Sequence, residues 1–210
     1  MFRELGDLHS YLIASRFATV VAILDGRLDE ARQTAEEALA LARRMGNDHE
    51  AAEAQRFLGR IALETGDTGE ARGHYDRAIP GLLRCGDLRC SGRAHAENAL
   101  ARHRLGDGDS VAGDLAEAWS YATRVDDTRA MAEALSVLAL KFGDETSVQL
   151  AGVSAKLLRS DTAPLASRDD LAEHLEKLPL DAATRTRALE EGVSTDPGEL
   201  FSRALDALPR

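Results

Sequence analysis

The chain has 210 residues, 44% hydrophobic and only 4% aromatic, with a formal net charge of −10. That acidity argues against nucleic-acid binding, because a bare acidic surface repels phosphate backbones. Few aromatics beside abundant Ala and Leu argue against a β-rich core and for helices packed closely through small side chains.

Taken from the start, Arg3, Glu4 and Asp7 are followed by no cleavage-like site, so no secretory leader is read. Tyr11 to Leu24 is apolar but short for a membrane span and contains Arg16, which predicts a buried first helix instead. Lys occurs only at Lys141, Lys156 and Lys177, an Arg-for-Lys bias that fits a GC-rich bacterial genome. Cys85 and Cys90 are the only cysteines, too few for a disulfide scaffold, and a reducing cytoplasm fits them.

From Gly26 onward the chain repeats itself. Gly26-Arg27-Leu28-Asp29-Glu30-Ala31-Arg32 recurs forty residues later as Gly66-Asp67-Thr68-Gly69-Glu70-Ala71-Arg72, and again from Gly106-Asp107. A second marker keeps the same period: Gly46-Asn47, Gly86-Asp87, Asp126-Asp127. Two turn signals per period predict two helices per repeat, and fixed-period self-similarity of this kind marks a helical solenoid.

The apolar positions agree. The second helix of each repeat aligns Ala31, Ala71, Val111 and Ala151, then Ala35, Tyr75, Leu115 and Ala155. Ala38, Ala78, Ala118 and Leu158 follow, then Ala42, Leu82 and Ala122. These offsets of 0, 4, 7 and 11 form one helical face. The first helix aligns Ala14, Ala54, Ala94 and Ala134, then Ala18, Leu58, Asn98 and Leu138, with Val21, Ile61 and Ala101. It should end at Gly26, Gly66, Gly106 or Gly143 in a left-handed cap, with carboxylates favouring the next helix start. Phe2 and Leu5 fall in register with Ala42 and Met45, so residues 1–5 read as the tail of an earlier second helix. Either the chain is part of a longer protein or its first hairpin is degenerate. Pro80 sits inside a second helix, where it removes a backbone hydrogen bond.

The period fades near Ser160. A loop over residues 161–164 should precede three shorter helices: Ser167–Leu178, Asp181–Gly192 and Pro197–Leu208, with Ser167, Asp181 and Asp196 as caps. The division is therefore repeats over residues 1–160 and a helical cap over 161–210, the terminal element a solenoid needs.

Leu58-Gly59, Gly66-Asp67, Ala71, Tyr75 and Ala78 resemble the tetratricopeptide repeat, though the period here is longer than that family's. The resemblance implies an all-α, right-handed superhelix of antiparallel helix hairpins whose first helices line a concave face that docks a peptide or a partner helix. More narrowly, Leu150-Ala151-Gly152 to Leu158 and Glu191-Gly192-Val193-Ser194 to Ala204-Leu205 resemble the C-terminal arm of actinobacterial LuxR- or SARP-type ATPase transcriptional regulators. That likeness implies a sensor or interaction arm. The chain itself shows no phosphate-binding glycine loop and no helix-turn-helix, so ATPase and DNA roles are not carried over.

By the register, the concave face should present Arg16, Glu53, Arg56, Arg60, Arg93, Glu97, Leu100 and His103, where Arg could grip carboxylates. Otherwise these are a solvated face of Glu–Arg pairs. Glu97-Asn98 replaces Phe57-Leu58 and Val137-Leu138. Asn98 is thus either a specificity site or a buried bridge between helices. Cys85, Cys90, His95 and His103 invite a zinc reading, but Cys85 replaces Met45 and Val125 and reads better as a small core residue. The carboxylates Asp25, Asp29 and Glu30, and Asp107 and Asp109, stand at turns, where they cap helices rather than move protons. The sequence thus predicts a cytoplasmic module that binds a protein or peptide, with no cofactor, metal, catalytic set, membrane or nucleic-acid contact. Self-association through the open N-terminal edge and small-ligand sensing are the alternatives.

Overall fold

The computed structural model describes residues 7–158 and 165–208. Among them the chain is helical without strands. The repeats comprise α1 (Leu8–Leu24), α2 (Leu28–Met45), α3 (Asp48–Thr65), α4 (Thr68–Arg84), α5 (Leu88–Arg104), α6 (Gly108–Arg124), α7 (Thr128–Ala139) and α8 (Glu145–Leu157). After them come α9 (Arg168–Lys177), α10 (Ala182–Ser194) and α11 (Pro197–Asp206). The expectations for residues 1–5 and for a loop at 161–164 lie outside the described residues, as does the side chain of Asp109.

The turn markers do what their chemistry requires. At Gly66, φ is 84°; its N–H donates to Leu63 O at 3.3 Å, and the Asp67 N–H donates to Ala62 O at 2.8 Å. This paired closure needs a left-handed residue, which glycine adopts without penalty. Gly26, Gly46, Gly86 and Gly106 repeat it, and Asp126 reaches φ 51° in the same role. Starts alternate. Asp7, Asn47, Asp87 and Asp127 accept the N–H three residues on, capping α1, α3, α5 and α7. Asp67 and Asp107, expected to favour the next helix start, make no side-chain cap bond to α4 or α6. The tight glycine turn already directs the chain there.

Consecutive helices pack in antiparallel pairs, and the stripe read from the sequence is the core. Ala31, Ala35 and Ala42 are buried, as are Ala71, Tyr75, Ala78 and Leu82, and Val111, Leu115, Ala118 and Ala122. The fourth repeat departs. α7 stops at Ala139, and Leu140, Lys141 and Phe142 turn back through bonds to residues three earlier. Gly143 therefore caps nothing with a positive φ. α8 begins early in the period, so its buried stripe shifts to Ser147, Leu150 and Ser154, while Ala155 is exposed. Pro80 stays on the solvent side of an unbroken α4. Cys85 is exposed at the end of α4, not in the core, because it precedes the left-handed Gly86.

The three C-terminal helices fall close to their expected spans. Asp181 and Asp196 cap α10 and α11 as predicted, whereas Ser167 precedes α9 without a side-chain cap bond. α10 packs against α8 so tightly that a Cβ on Gly192 would stand 2.3 Å from Gln149 O. α11 buries Leu200, Phe201 and Ala204, with the Phe201 ring stacked on Trp119 at 4.2 Å.

Candidate partner-binding groove

The first helices of the repeats place residues forty apart on one line: Glu53 on α3, Arg93 on α5 and Glu133 on α7. Arg16 and Arg56 form a second such pair, on α1 and α3. Along this face the charges meet one another. Arg56 Nε donates to Glu53 Oε2 at 2.8 Å, and Arg56 Nη1 lies 3.4 Å from Glu97 Oε2. Arg60 bonds Glu64 at 2.7 Å through Nε and approaches Glu97 at 3.7 Å. Arg16 stands 3.8 Å from both Glu50 and Glu53. Arg93 Nε donates to Asp127 Oδ2 at 2.7 Å, fastening α5 to the start of α7.

Burial governs the titration of this row. It pushes the Glu53 carboxyl up, but Arg56, the Cys90 thiol and Arg16 hold it below the usual carboxylate range. Burial would lower Arg56, and Glu53 with Glu97 hold it well above its ordinary value. Tyr75 lies fully buried beneath the row with no partner for its hydroxyl, and burial, reinforced by Glu97, pushes that hydroxyl well above its ordinary range. The Tyr75 ring fills the space a side chain at 59 would need: a Cβ on Gly59 would meet it at 2.8 Å.

Between α1, α3 and α5 the face opens into a cleft of about 420 Å³. Arg16, Glu53, Arg56, Arg60, Arg93 and Glu97 line it together, six of the eight positions proposed from the register. Arg129 joins them, and Phe17, Val20, Ile23 and Leu24 of α1 form an apolar wall with Phe57. The other two, Leu100 and His103, lie elsewhere, as does Asn98. Asn98 is buried and donates through Nδ2 to Asp114 Oδ2 at 2.9 Å, bridging α5 to α6, and its Oδ1 has no partner. It is the buried bridge rather than a groove residue. His103 is half-buried near Lys141, Asp170 and His174; burial, then Lys141, lowers its pKa. Leu100, also placed on this face, is a core residue at 0% exposure.

The far part of the face holds the chain's own C-terminal segment. Glu133, fully buried on α7, accepts the Ala166 N–H at 2.9 Å and the Ser167 N–H at 2.8 Å. Burial raises its carboxyl, opposed by Arg60 and the Ser167 bonds. Arg104 of α5 clamps Asp170 of α9 through Nη2 at 2.6 Å, and a ring nitrogen of His174 stands 2.8 Å from Phe142 O. Glu133 shares the forty-residue register of Glu53 and Arg93, so the period could have found it. Arg129 repeats Arg89 and Phe17 repeats Phe57 at the same spacing, whereas Val20 and Leu24, whose counterparts are Arg60 and Glu64, carried no such signal.

Cys90 Sγ donates to Glu53 Oε1 at 2.9 Å, and burial with that neighbouring carboxylate pushes the thiol far up. Ligand atoms of Glu53, Asp87 and Cys90 lie within 4.8 Å of one another. Arg56 already occupies the Glu53 carboxylate, Asp87 caps α5 and bonds His49 at 2.8 Å, and the thiol is held protonated. That donor set is committed to packing rather than to a cation. Among the described residues, Cys85, His95 and His103 join no ligand group; His95 bonds Asp114 at 2.7 Å.

No helix among the described residues is long and apolar enough to cross a membrane. No curated protein matches the chain. The tetratricopeptide repeat family matches over residues 12–84, spanning most of α1 through α4, and this likeness supports a non-catalytic module for protein–protein interaction built on antiparallel helix pairs.

Proposed function

We propose that the chain binds an extended or helical polypeptide segment carrying both carboxylates and apolar side chains, in the cleft between α1, α3 and α5. The observation that carries this reading is the lining: five arginines against two glutamates, facing an apolar wall from α1. Guanidinium donors suit carboxylates, and a partner's carboxylate would share those that Arg16, Arg56, Arg60 and Arg93 now give to Glu50, Glu53, Glu64, Glu97 and Asp127. The neighbouring stretch of the same face supports it, since there Glu133 and Arg104 already hold a chain segment through its backbone and its Asp170. The setting we propose is the interaction arm of a cytoplasmic bacterial regulator, on the resemblance of the α8 and α10–α11 sequences to such arms.

Fluorescence anisotropy with three peptide classes tests the reading: Glu/Leu-rich, Lys/Leu-rich and neutral polar. The Glu/Leu class should bind, and Arg16→Glu should weaken it about tenfold, roughly 1.4 kcal/mol. Equal binding of the Lys/Leu class, or no response to Arg16→Glu, would overturn it. The cleft also lies within the roughly 300–1,000 Å³ usual for small-molecule sites. A thermal-shift panel of small carboxylates tests that second reading, with a shift abolished by Arg16→Glu as the expected sign.

A further inference from the structure

Of the two glutamates in the cleft, one is closely bonded and the other is not. Glu53 accepts from Arg56 Nε at 2.8 Å and from Cys90 Sγ at 2.9 Å. Glu97, 7% exposed, is held only at long range: Arg56 Nη1 lies 3.5 and 3.4 Å from its two oxygens, and Arg60 Nη1 lies 3.7 Å away. Charge-assisted bonds to a carboxylate measure about 2.7–2.9 Å, and a buried carboxylate without them is destabilising.

Neither arginine requires Glu97. Arg56 has Glu53, and Arg60 bonds Glu64 at 2.7 Å. Nor does the fold require it. Forty residues before and after, the same position holds Phe57 and Val137, both buried. Glu97 therefore brings to the cleft an acceptor that the chain's own donors do not fill.

A second carboxylate on this face shows what such an acceptor takes. Arg60 feels both: burial would lower its pKa, and Glu97, then Glu133, hold it above its ordinary value. Glu133 is filled by backbone. It accepts the N–H groups of Ala166 and Ser167, the two residues that lead into α9. The first turn of α9 is acidic, with Asp169 and Asp170, and Asp170 sits 2.6 Å from Arg104. A helix start offers N–H groups that no helical carbonyl takes, and its dipole turns a positive end toward a carboxylate. One glutamate and one arginine thus hold an acidic helix start.

We propose that Glu97 is the specificity-determining acceptor of the cleft, receiving backbone N–H groups at the start of a partner helix whose first-turn carboxylates meet Arg16 and Arg93. The inference rests on the cleft being a polypeptide site and adds which end of the partner enters it. Both arginines are partly exposed and within the cleft lining. A helix entering by its other end would set unpaired carbonyl groups against Glu97, a repulsive arrangement.

Fluorescence anisotropy on the whole chain tests this with three labelled peptides. The first is a Glu/Leu-rich helix with its glutamates in the first turn. The second has the same residues in reverse order, and the third is the first peptide with its two leading amides N-methylated. The first should bind at least about tenfold more tightly than either of the others. Glu97→Leu, which places an apolar residue where other repeats have one, should keep the circular dichroism spectrum and reduce the first peptide to the affinity of the other two. Equal binding of all three by the wild-type chain would overturn the inference while leaving the cleft a docking site, and this comparison needs no variant. A preference that survives Glu97→Leu would equally overturn it and assign the acceptor elsewhere. Binding of none of the three would overturn the docking reading itself, and this inference with it.

Discussion

Arg56 is held between two carboxylates from different repeats: Glu53 one turn away on α3 at 2.8 Å, and Glu97 across on α5 at 3.4 Å. All three side chains are under a tenth exposed. Its guanidinium also lies over the Phe57 ring, 4.4 Å from the centroid. One arginine therefore ties two repeats together at the floor of the groove.

Removing it leaves two buried carboxylates without their cation. Arg56→Ala should cost about 3–5 kcal/mol, read by urea denaturation, because breaking a buried pair strands the remaining charges. Arg56→Met combined with Glu53→Met and Glu97→Leu should recover most of that loss. If Arg56→Ala alone costs under about 1 kcal/mol, the pair behaves as a surface ion pair and the burial argument fails.

Gly59 and Tyr75 form the contact that sets the distance between α3 and α4. A methyl at 59 would stand 2.8 Å from a ring that is fully buried. Gly59→Ala should therefore destabilise the chain by about 1–3 kcal/mol despite the better helix propensity of alanine. Gly59→Ala in a Tyr75→Leu background should cost less. Additive losses in the double variant would contradict this account.

Glu133 holds the C-terminal segment by accepting two backbone N–H groups. In Glu133→Ala, the amides of Ala166 and Ser167 should exchange with solvent at least about tenfold faster, while those of α3 and α5 stay protected. Unchanged exchange at both amides would show that Arg104–Asp170 and the packing of Leu171 suffice to dock α9.

His103 and His74 are both lowered from 6.5, in each case chiefly by burial. For such a histidine the unfolded chain takes its proton first as pH falls. Its stabilising contribution is present above the unfolded value of 6.5 and is lost as pH falls through the lower folded one. Wild type should lose stability between pH 7 and about 5 more steeply than His103→Gln, measured as the difference in denaturation free energy at each pH. Parallel curves would exclude His103 as a source of the slope.

The groove row was legible because the period put Arg16, Arg56, Glu53, Arg93 and Glu97 on corresponding faces of successive helices. A helix repeat of fixed length turns sequence distance into spatial alignment. The same logic placed Leu100 on the groove and left Asn98 open between a specificity site and a buried bridge, since a helix has no sequence mark separating its groove side from the side facing the next helix. Both residues lie on that inner side, one bonded to Asp114 and one in the core. Val20 and Leu24 of the apolar wall were invisible for a related reason: an apolar helix reads as buried until its neighbours are known.

The sequence by itself determined the helix pairs, their turns and the buried stripes of the first three repeats, because glycine caps, Asx caps and small-residue spacing are local physics repeated in register. The tertiary structure alone decided the rest. α7 ends early and shifts the stripe of α8, and Glu133 draws residues 166 and 167 onto the concave face. These outcomes depend on which surfaces meet across long sequence separations, where no local propensity acts.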